Sequence, residues 1–191
     1  SVLKKDLKKN LISNAANLLT LITKSKIDTH VSLIYSHSLL SYGYWHQQLL
    51  AESIGKNGKD FTPIISECPK DHHSIMQLYL DGKRNKFFTF FKIINNKKDL
   101  PIKDYFDQKF KKSSLNNIID AQFNATINVF KKNLIPFRVI LIDQKKPIQS
   151  FISLLVYSML ETAILCKALN LNPFNQPAVE AIKKETYSLL S

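Results

Sequence analysis

The sequence predicts an α/β fold, a three-layer α/β/α sandwich with a mainly parallel sheet and helices at its carboxy-terminal end. Short runs of apolar, aromatic and β-branched residues alternate with stretches of helical periodicity, and each parallel crossover needs a helix's worth of chain between strands. The composition is that of an ordinary globular chain: 191 residues, 45% hydrophobic and 22% charged. With only four glycines and two cysteines, disorder, a collagen-like repeat and a disulfide-stapled miniprotein are excluded. No internal repeat or linker is found, so residues 1–191 read as a single domain.

Apolar residues at helical spacing run from Leu3 through Leu7, Leu11 and Leu18 to Ile22 and predict the first helix. The run from His30 to Tyr35 is the first strand. Tyr44 to Ile54 returns to helical spacing and stops at Gly55-Lys-Asn-Gly58. Thr62 to Ser66 is a second strand, and Asp71 reads as the N-cap of a short helix over Ile75 to Leu80. Lys86 to Ile94 is the third strand. After a polar stretch from Asn95 to Lys112, Leu115, Ile119, Phe123, Ile127 and Phe130 form one helical stripe. Phe137 to Ile142 is the fourth strand, followed by helices over Ile148 to Leu169 and Gln176 to Leu190.

The net charge is +12, so nucleic acid, a membrane surface and phosphorylated metabolites are all candidate partners. Of the basic residues only Arg84 and Arg138 are arginines, the side chain suited to bidentate reading of bases and phosphates, and no nucleic-acid partner is expected. The lysines come as pairs (Lys4-Lys5, Lys8-Lys9, Lys97-Lys98, Lys111-Lys112, Lys131-Lys132, Lys145-Lys146) that read as a solvated face. No stretch reads as a secretory signal. The most membrane-like segment, Phe151 to Leu169, contains Glu161 and Lys167, and a charge near the bilayer centre costs about 2.5–3.5 kcal/mol. A buried helix is the better reading, and no membrane partner is expected. Cys68 and Cys166 suggest a reducing compartment.

Three constellations could carry chemistry. Gln48 and Glu52 share a helix face at i and i+4, next to the Gly55 terminus. Gln176, Glu180 and Lys183 share another, with Pro177 in the first turn, where its missing N–H costs nothing. Asp71-His72-His73 follows a strand and opens a helix, at the carboxyl edge where open parallel sheets bind ligands. Each also has a plain reading as surface decoration or, for Glu180 with Lys183, as a weak ion pair. Gly55 to Lys59 follows a helix instead of opening one, so it is a helix-terminating loop and not a phosphate loop. G-x-S-x-G and H-E-x-x-H are both absent, and Cys68 with His72 and His73 has no second ligand cluster, so no metal site is expected.

The segment from Asn172 to Lys183, Asn-Pro-Phe-Asn-Gln-Pro-Ala-Val-Glu-Ala-Ile-Lys, resembles the carboxy-terminal signature of the glucose-6-phosphate isomerase family. Tyr35-Ser36 through Trp45–Lys56 resembles the family segment with the catalytic glutamate, and Lys70–Gly82 the one with the catalytic histidine. The three stretches occur in the family's order and cover nearly the whole chain, nearest to the compact bacterial form. The resemblance implies that Glu52 is the base moving a proton between C2 and C1 through an enediolate. It implies that His73 helps open the sugar ring in the neighbouring subunit's site and that Lys183 lies near the ring oxygen. Gln48 and Gln176 would bind substrate, with no metal or organic cofactor. A cytoplasmic homodimer acting in glycolysis and gluconeogenesis is expected.

The match departs from the family in two places. Bacterial relatives tend to read Gly-Ala-Lys-Asp-Gln-His where this chain reads Cys68-Pro-Lys-Asp-His-His73. The family's first sugar-isomerase domain, with its phosphate-binding loop, has no counterpart here, so only the second domain and the carboxy-terminal helices are represented. The isolated chain is therefore expected to be a poor catalyst, and the alternatives are a non-catalytic sugar-phosphate-binding domain and a nucleic-acid module.

Overall fold

The computed structural model describes residues 5–58, 60–94, 99–101 and 114–190, with side chains described from residue 10 onward. In chain order the elements are α1 (Lys5–Lys24), β1 (Thr29–Ile34), α2 (Leu40–Ile54), β2 (Thr62–Glu67), α3 (Met76–Asp81), β3 (Lys86–Ile94), α4 (Leu115–Lys132), β4 (Phe137–Asp143), α5 (Pro147–Ala168) and α6 (Pro177–Leu190). Single 3₁₀ turns precede α2 (His37–Leu39) and α3 (Lys70–His72). The strands lie within a residue of their predicted bounds. The expectations for Leu3, Leu7, Lys59, the polar stretch before Lys112 apart from residues 99–101, and four of the six lysine pairs fall outside the described residues. The pairs Lys131-Lys132 and Lys145-Lys146 are exposed, as read.

The four described strands are all parallel, in the order β2-β1-β3-β4. Parallel sheets need cover on both faces. One face presents Val31, Leu33, Tyr35, Phe88 and Phe90, packed under Met76 and Tyr79 of α3 and Phe123 and Phe130 of α4. The other presents Ile34, Phe87 and Phe91 to α1, α2 and α5. This is the three-layer sandwich that the alternation of elements predicts. Because α2 returns the chain from the end of β1 to the start of β2, its last turn lies at the amino edge of the sheet. The loops that follow the strands lie at the carboxyl edge.

Three expectations are corrected. Asp71 does not cap α3, whose N-cap is Ile75. Instead its carboxylate accepts from Ser66 Oγ and Glu67 N, both at 2.8 Å, and from Ser74 Oγ at 3.1 Å, folding the turn back onto β2. Helix α2 starts four residues before the predicted Tyr44, because Leu39 and Tyr42 already face the core. Helix α5 is long and apolar enough to cross a membrane by length and composition, yet only one side is covered, with Ile148, Ile152 and Met159 exposed.

That covered side of α5 carries Glu161, bound bidentately by Arg138 of β4 at 2.6 and 2.8 Å. Arg138 Nε donates to Thr89 Oγ1 at 3.0 Å, and Thr89 meets His30 Nε2 at 2.7 Å. Removing one partner of the pair would leave a buried charge, a loss of about 3–5 kcal/mol. His30 and His46 stand edge to face at 5.8 Å in the same layer. Burial drives both below the ordinary imidazole value, His46 to about 3, with Arg138 adding repulsion. Both histidines are thus neutral in the folded chain and gain protons readily only when unfolded. Stability is full above pH 6.5 and falls as pH drops from there toward 3. The urea midpoint is expected to decline between pH 7 and pH 4.5, and less steeply in His46→Phe; equal slopes would contradict this assignment.

Candidate active site

Glu52 lies in the last turn of α2, half-buried, with both carboxylate oxygens engaged. Gln48 Nε2 donates to Oε1 at 2.8 Å, one helical turn back on the same face, as the i, i+4 spacing predicts. Gln176 Nε2 donates to Oε2 at 2.7 Å from 124 residues away. A carboxylate oxygen has two lone-pair sites, so each keeps one free to accept a proton or a hydroxyl.

The segment after α5 is what brings Gln176 there. Leu171 N returns to Cys166 O at 2.8 Å and the Leu171 side chain enters the core. Lys56 Nζ donates to Asn172 O, and Asn172 Oδ1 accepts from Phe174 N at 2.9 Å. Behind Glu52 the helix stops at Gly55, where a Cβ would collide with the carbonyl oxygen of Ala51. The predicted helix-terminating loop is present, with left-handed backbone at Asn57 and Gly58.

The histidine cluster is elsewhere. It follows β2 at the carboxyl edge, and a strand of six residues, about 20 Å long, separates that edge from Glu52. His72 turns inward, its Nε2 2.7 Å from the Tyr35 hydroxyl, while His73 is exposed. Burial, with a contribution from His73, holds His72 below its ordinary value, so its ring is neutral near pH 7. The first-turn setting predicted for these histidines is a three-residue 3₁₀ turn, too short to supply a helix dipole.

Of the sequence-predicted site residues, the structure therefore unites Glu52, Gln48 and Gln176. It separates His73 from them. Lys183 sits on α6 and pairs with Glu180 at 2.7 Å, both exposed, the ion pair of the plain reading. Two contributors went unseen in the sequence: Lys56, tied to a carbonyl 116 residues away, and Tyr35 as partner of His72. No spacing rule reaches across such separations.

A cleft of about 1070 Å³ opens at the carboxyl edge between β1 and β3, walled by Ser36, His37, Lys92, Asn116, Asp120 and Gln144. This is the switch point at which open α/β sheets bind ligands. Among the described lining residues the buried cation, Lys92, is paired with Asp120, and Asp99 accepts from Asn116 N at the start of α4. Among the described residues no group of three or more His, Cys, Asp or Glu could hold a metal. Both cysteines are buried thiols, and burial pushes Cys68 up to about 12, which leaves it unreactive.

No protein-family profile matches the chain. It is 37% identical over 161 residues to a probable glucose-6-phosphate isomerase of Methanococcus maripaludis, covering 84% of this chain and 36% of that protein. It is 34% identical over 165 residues to a glucose-6-phosphate isomerase of Methanocaldococcus jannaschii, with 85% and 41% covered. One from Lactobacillus helveticus is 29% identical, with 97% and 43% covered, so archaeal relatives stand beside bacterial ones. The chain spans about two fifths of the length of these curated relatives. Among solved structures, a hypothetical protein from Thermus thermophilus superposes with a TM-score of 0.85 at 25% identity, over 97% of this chain and 46% of that one. A glucose-6-phosphate isomerase from Chlamydia trachomatis gives 0.66 at 17% identity over 85% and 34%, a likeness of fold.

The hydrogen bond from Gln176 is the described side-chain tie between the start of α6 and the body, and no residue of α6 is buried. Replacing Gln176 with Ala is expected to weaken this docking by about 1 kcal/mol. Amide hydrogen exchange should then speed up over residues 177–190 and stay unchanged over β1 and β3; unchanged protection of α6 would contradict the tie.

Proposed function

We propose that this chain, a relative of the glucose-6-phosphate isomerases over most of its length, is the carboxy-terminal portion of an enzyme that interconverts glucose 6-phosphate and fructose 6-phosphate. The observation that carries this reading is the Glu52 carboxylate held between Gln48 and Gln176, which joins two of the three resembling segments in one place. Aldose–ketose isomerisation needs a base beside the C1–C2 bond of the open-chain sugar. In this reading Glu52 takes the C2 proton, and the electrons left behind form the C1–C2 double bond of an enediolate while the C1 carbonyl pair moves onto O1. A proton passes from O2 to O1, and Glu52 returns its proton to C1 as the C2 carbonyl forms.

A base serving both carbons must keep its place through the transfer, and amide donors on both oxygens do this without neutralising the carboxylate. When substrate arrives, Gln48 and Gln176 can pass their N–H groups to its hydroxyls, which is the binding role proposed for them. Lys183 is paired with Glu180 one turn back on the same exposed helix, and would exchange that partner to serve a sugar held at Glu52. A hexose phosphate is too short to touch both Glu52 and the carboxyl edge of the same chain. His73 therefore fits a role in ring opening in a second copy's site, and a homodimer in the cytoplasm, working in glycolysis and gluconeogenesis, is the assembly we propose.

The anchor for the substrate's phosphate would come from the part of the relatives that this chain does not span. The isolated 191 residues are expected to fall at least about 100-fold below the full polypeptide in kcat/KM, since misplacing a substrate by an ångström costs that much. Turnover by the isolated chain at a full enzyme's rate would contradict the division of labour. In the full polypeptide, Glu52→Gln should lower kcat by about 10²–10⁴-fold while substrate still binds. Unchanged turnover would favour the reading as a sugar-phosphate-binding domain without catalysis.

A further inference from the structure

We infer that His72 and Tyr35 are positioning residues for His73: their hydrogen bond fixes the turn after β2 and so sets where His73 is presented. This rests on the isomerase reading and goes beyond it, because both residues act through the placing of His73.

The turn is held from two sides. Asp71 ties it to β2 through Ser66 Oγ and Glu67 N, and to itself through Ser74 Oγ. His72 ties it to β1 and α4. The direction of that second tie follows from counting protons. The Thr126 hydroxyl donates to Gln122 O at 2.8 Å, so it can only accept from Tyr35, at 2.9 Å. The single Tyr35 proton is thereby used, and its oxygen accepts from His72 Nε2–H at 2.7 Å. His72, Tyr35, Thr126 and the Gln122 carbonyl form one directed chain of donors that crosses from the turn to α4.

Tyr35 itself cannot give way. It is 3% exposed, its N–H is bonded to Phe91 O, and its ring is packed against Phe90 and edge-on to Phe123. With the His72 ring pinned inward, the next side chain is directed out to solvent, where His73 is found. What the position requires of residue 72 is an N–H donor of that reach. A glutamine supplies one. An aliphatic residue supplies none.

The test uses the full polypeptide with glucose 6-phosphate and measures two rates. Ring opening is read as exchange between the α and β anomers by magnetisation-transfer NMR, and isomerisation as formation of fructose 6-phosphate. Tyr35→Phe, which keeps the packed ring, and His72→Leu are each expected to slow enzyme-dependent anomer exchange about 10- to 100-fold. The double variant should be no slower than the worse single one, and His72→Gln should stay within about twofold of wild type. Damage of a general kind would instead lower both rates alike, and would do so in His72→Gln as well; that outcome overturns the inference. Anomer exchange unchanged in Tyr35→Phe and His72→Leu, or His72→Gln as impaired as His72→Leu, overturns the inference while leaving the isomerase reading standing. A wild-type protein that neither opens the ring nor isomerises the sugar overturns both.

Discussion

A parallel sheet constrains where its chemistry can go. Each strand must be followed by a helix running back to the start of the next, so side chains at helix ends and side chains at strand ends lie on opposite edges. In this chain that rule puts Glu52 at the amino edge and His72-His73 at the carboxyl edge, a full strand apart. Both faces must also be covered, and over β1 and β3 they are, with aromatic packing under α3 and α4 on one side and aliphatic and aromatic packing under α1, α2 and α5 on the other. The sheet thus serves as a rigid spacer, and the separation of Glu52 from the histidine pair follows from topology before any particular side chain is considered.

Within that frame the polar groups differ in kind. Arg138 and Glu161 form a buried pair that joins β4 to α5, and together with Thr89 and His30 they make a network whose role is to hold the layers in register. The Glu52 group is lighter and more open. Its carboxylate is paired with amides and not with a cation, which holds the group in place and leaves its charge uncompensated. A base needs that condition, whereas a structural ion pair would forfeit it. Gln176 ties the start of α6 to Glu52, and the helix that carries Lys183 has no buried residue.

Much of the fold was legible because the strands are short runs rich in apolar, aromatic and β-branched residues, which leave few alternatives once helices separate them. The pairing of Gln48 with Glu52 was legible from helical geometry alone. Gln176 was not: 124 residues lie between it and Glu52, and only the resemblance to a family linked them. Asp71 misled because an acidic residue ahead of an apolar stretch looks like an N-cap, while a 3₁₀ turn intervenes and the carboxylate turns back to the strand it has just left. The apolar pattern of α5 suggested burial all round, and sequence could not tell that one side would be left uncovered. The place of His72 is set by Tyr35, 37 residues earlier in the chain, a partner that no spacing rule links to it.

The central claim is that Glu52 carries a hydrogen between two carbons as a proton. Following deuterium placed at C2 of glucose 6-phosphate through a single turnover of the full polypeptide in ordinary water tests it most directly. The account predicts that the label reaches C1 of fructose 6-phosphate only in part, the remainder being lost to water, because a proton resting on a half-exposed carboxylate exchanges before it is returned. Complete retention of the label at C1, the signature of a hydride moving directly between carbons, would contradict it.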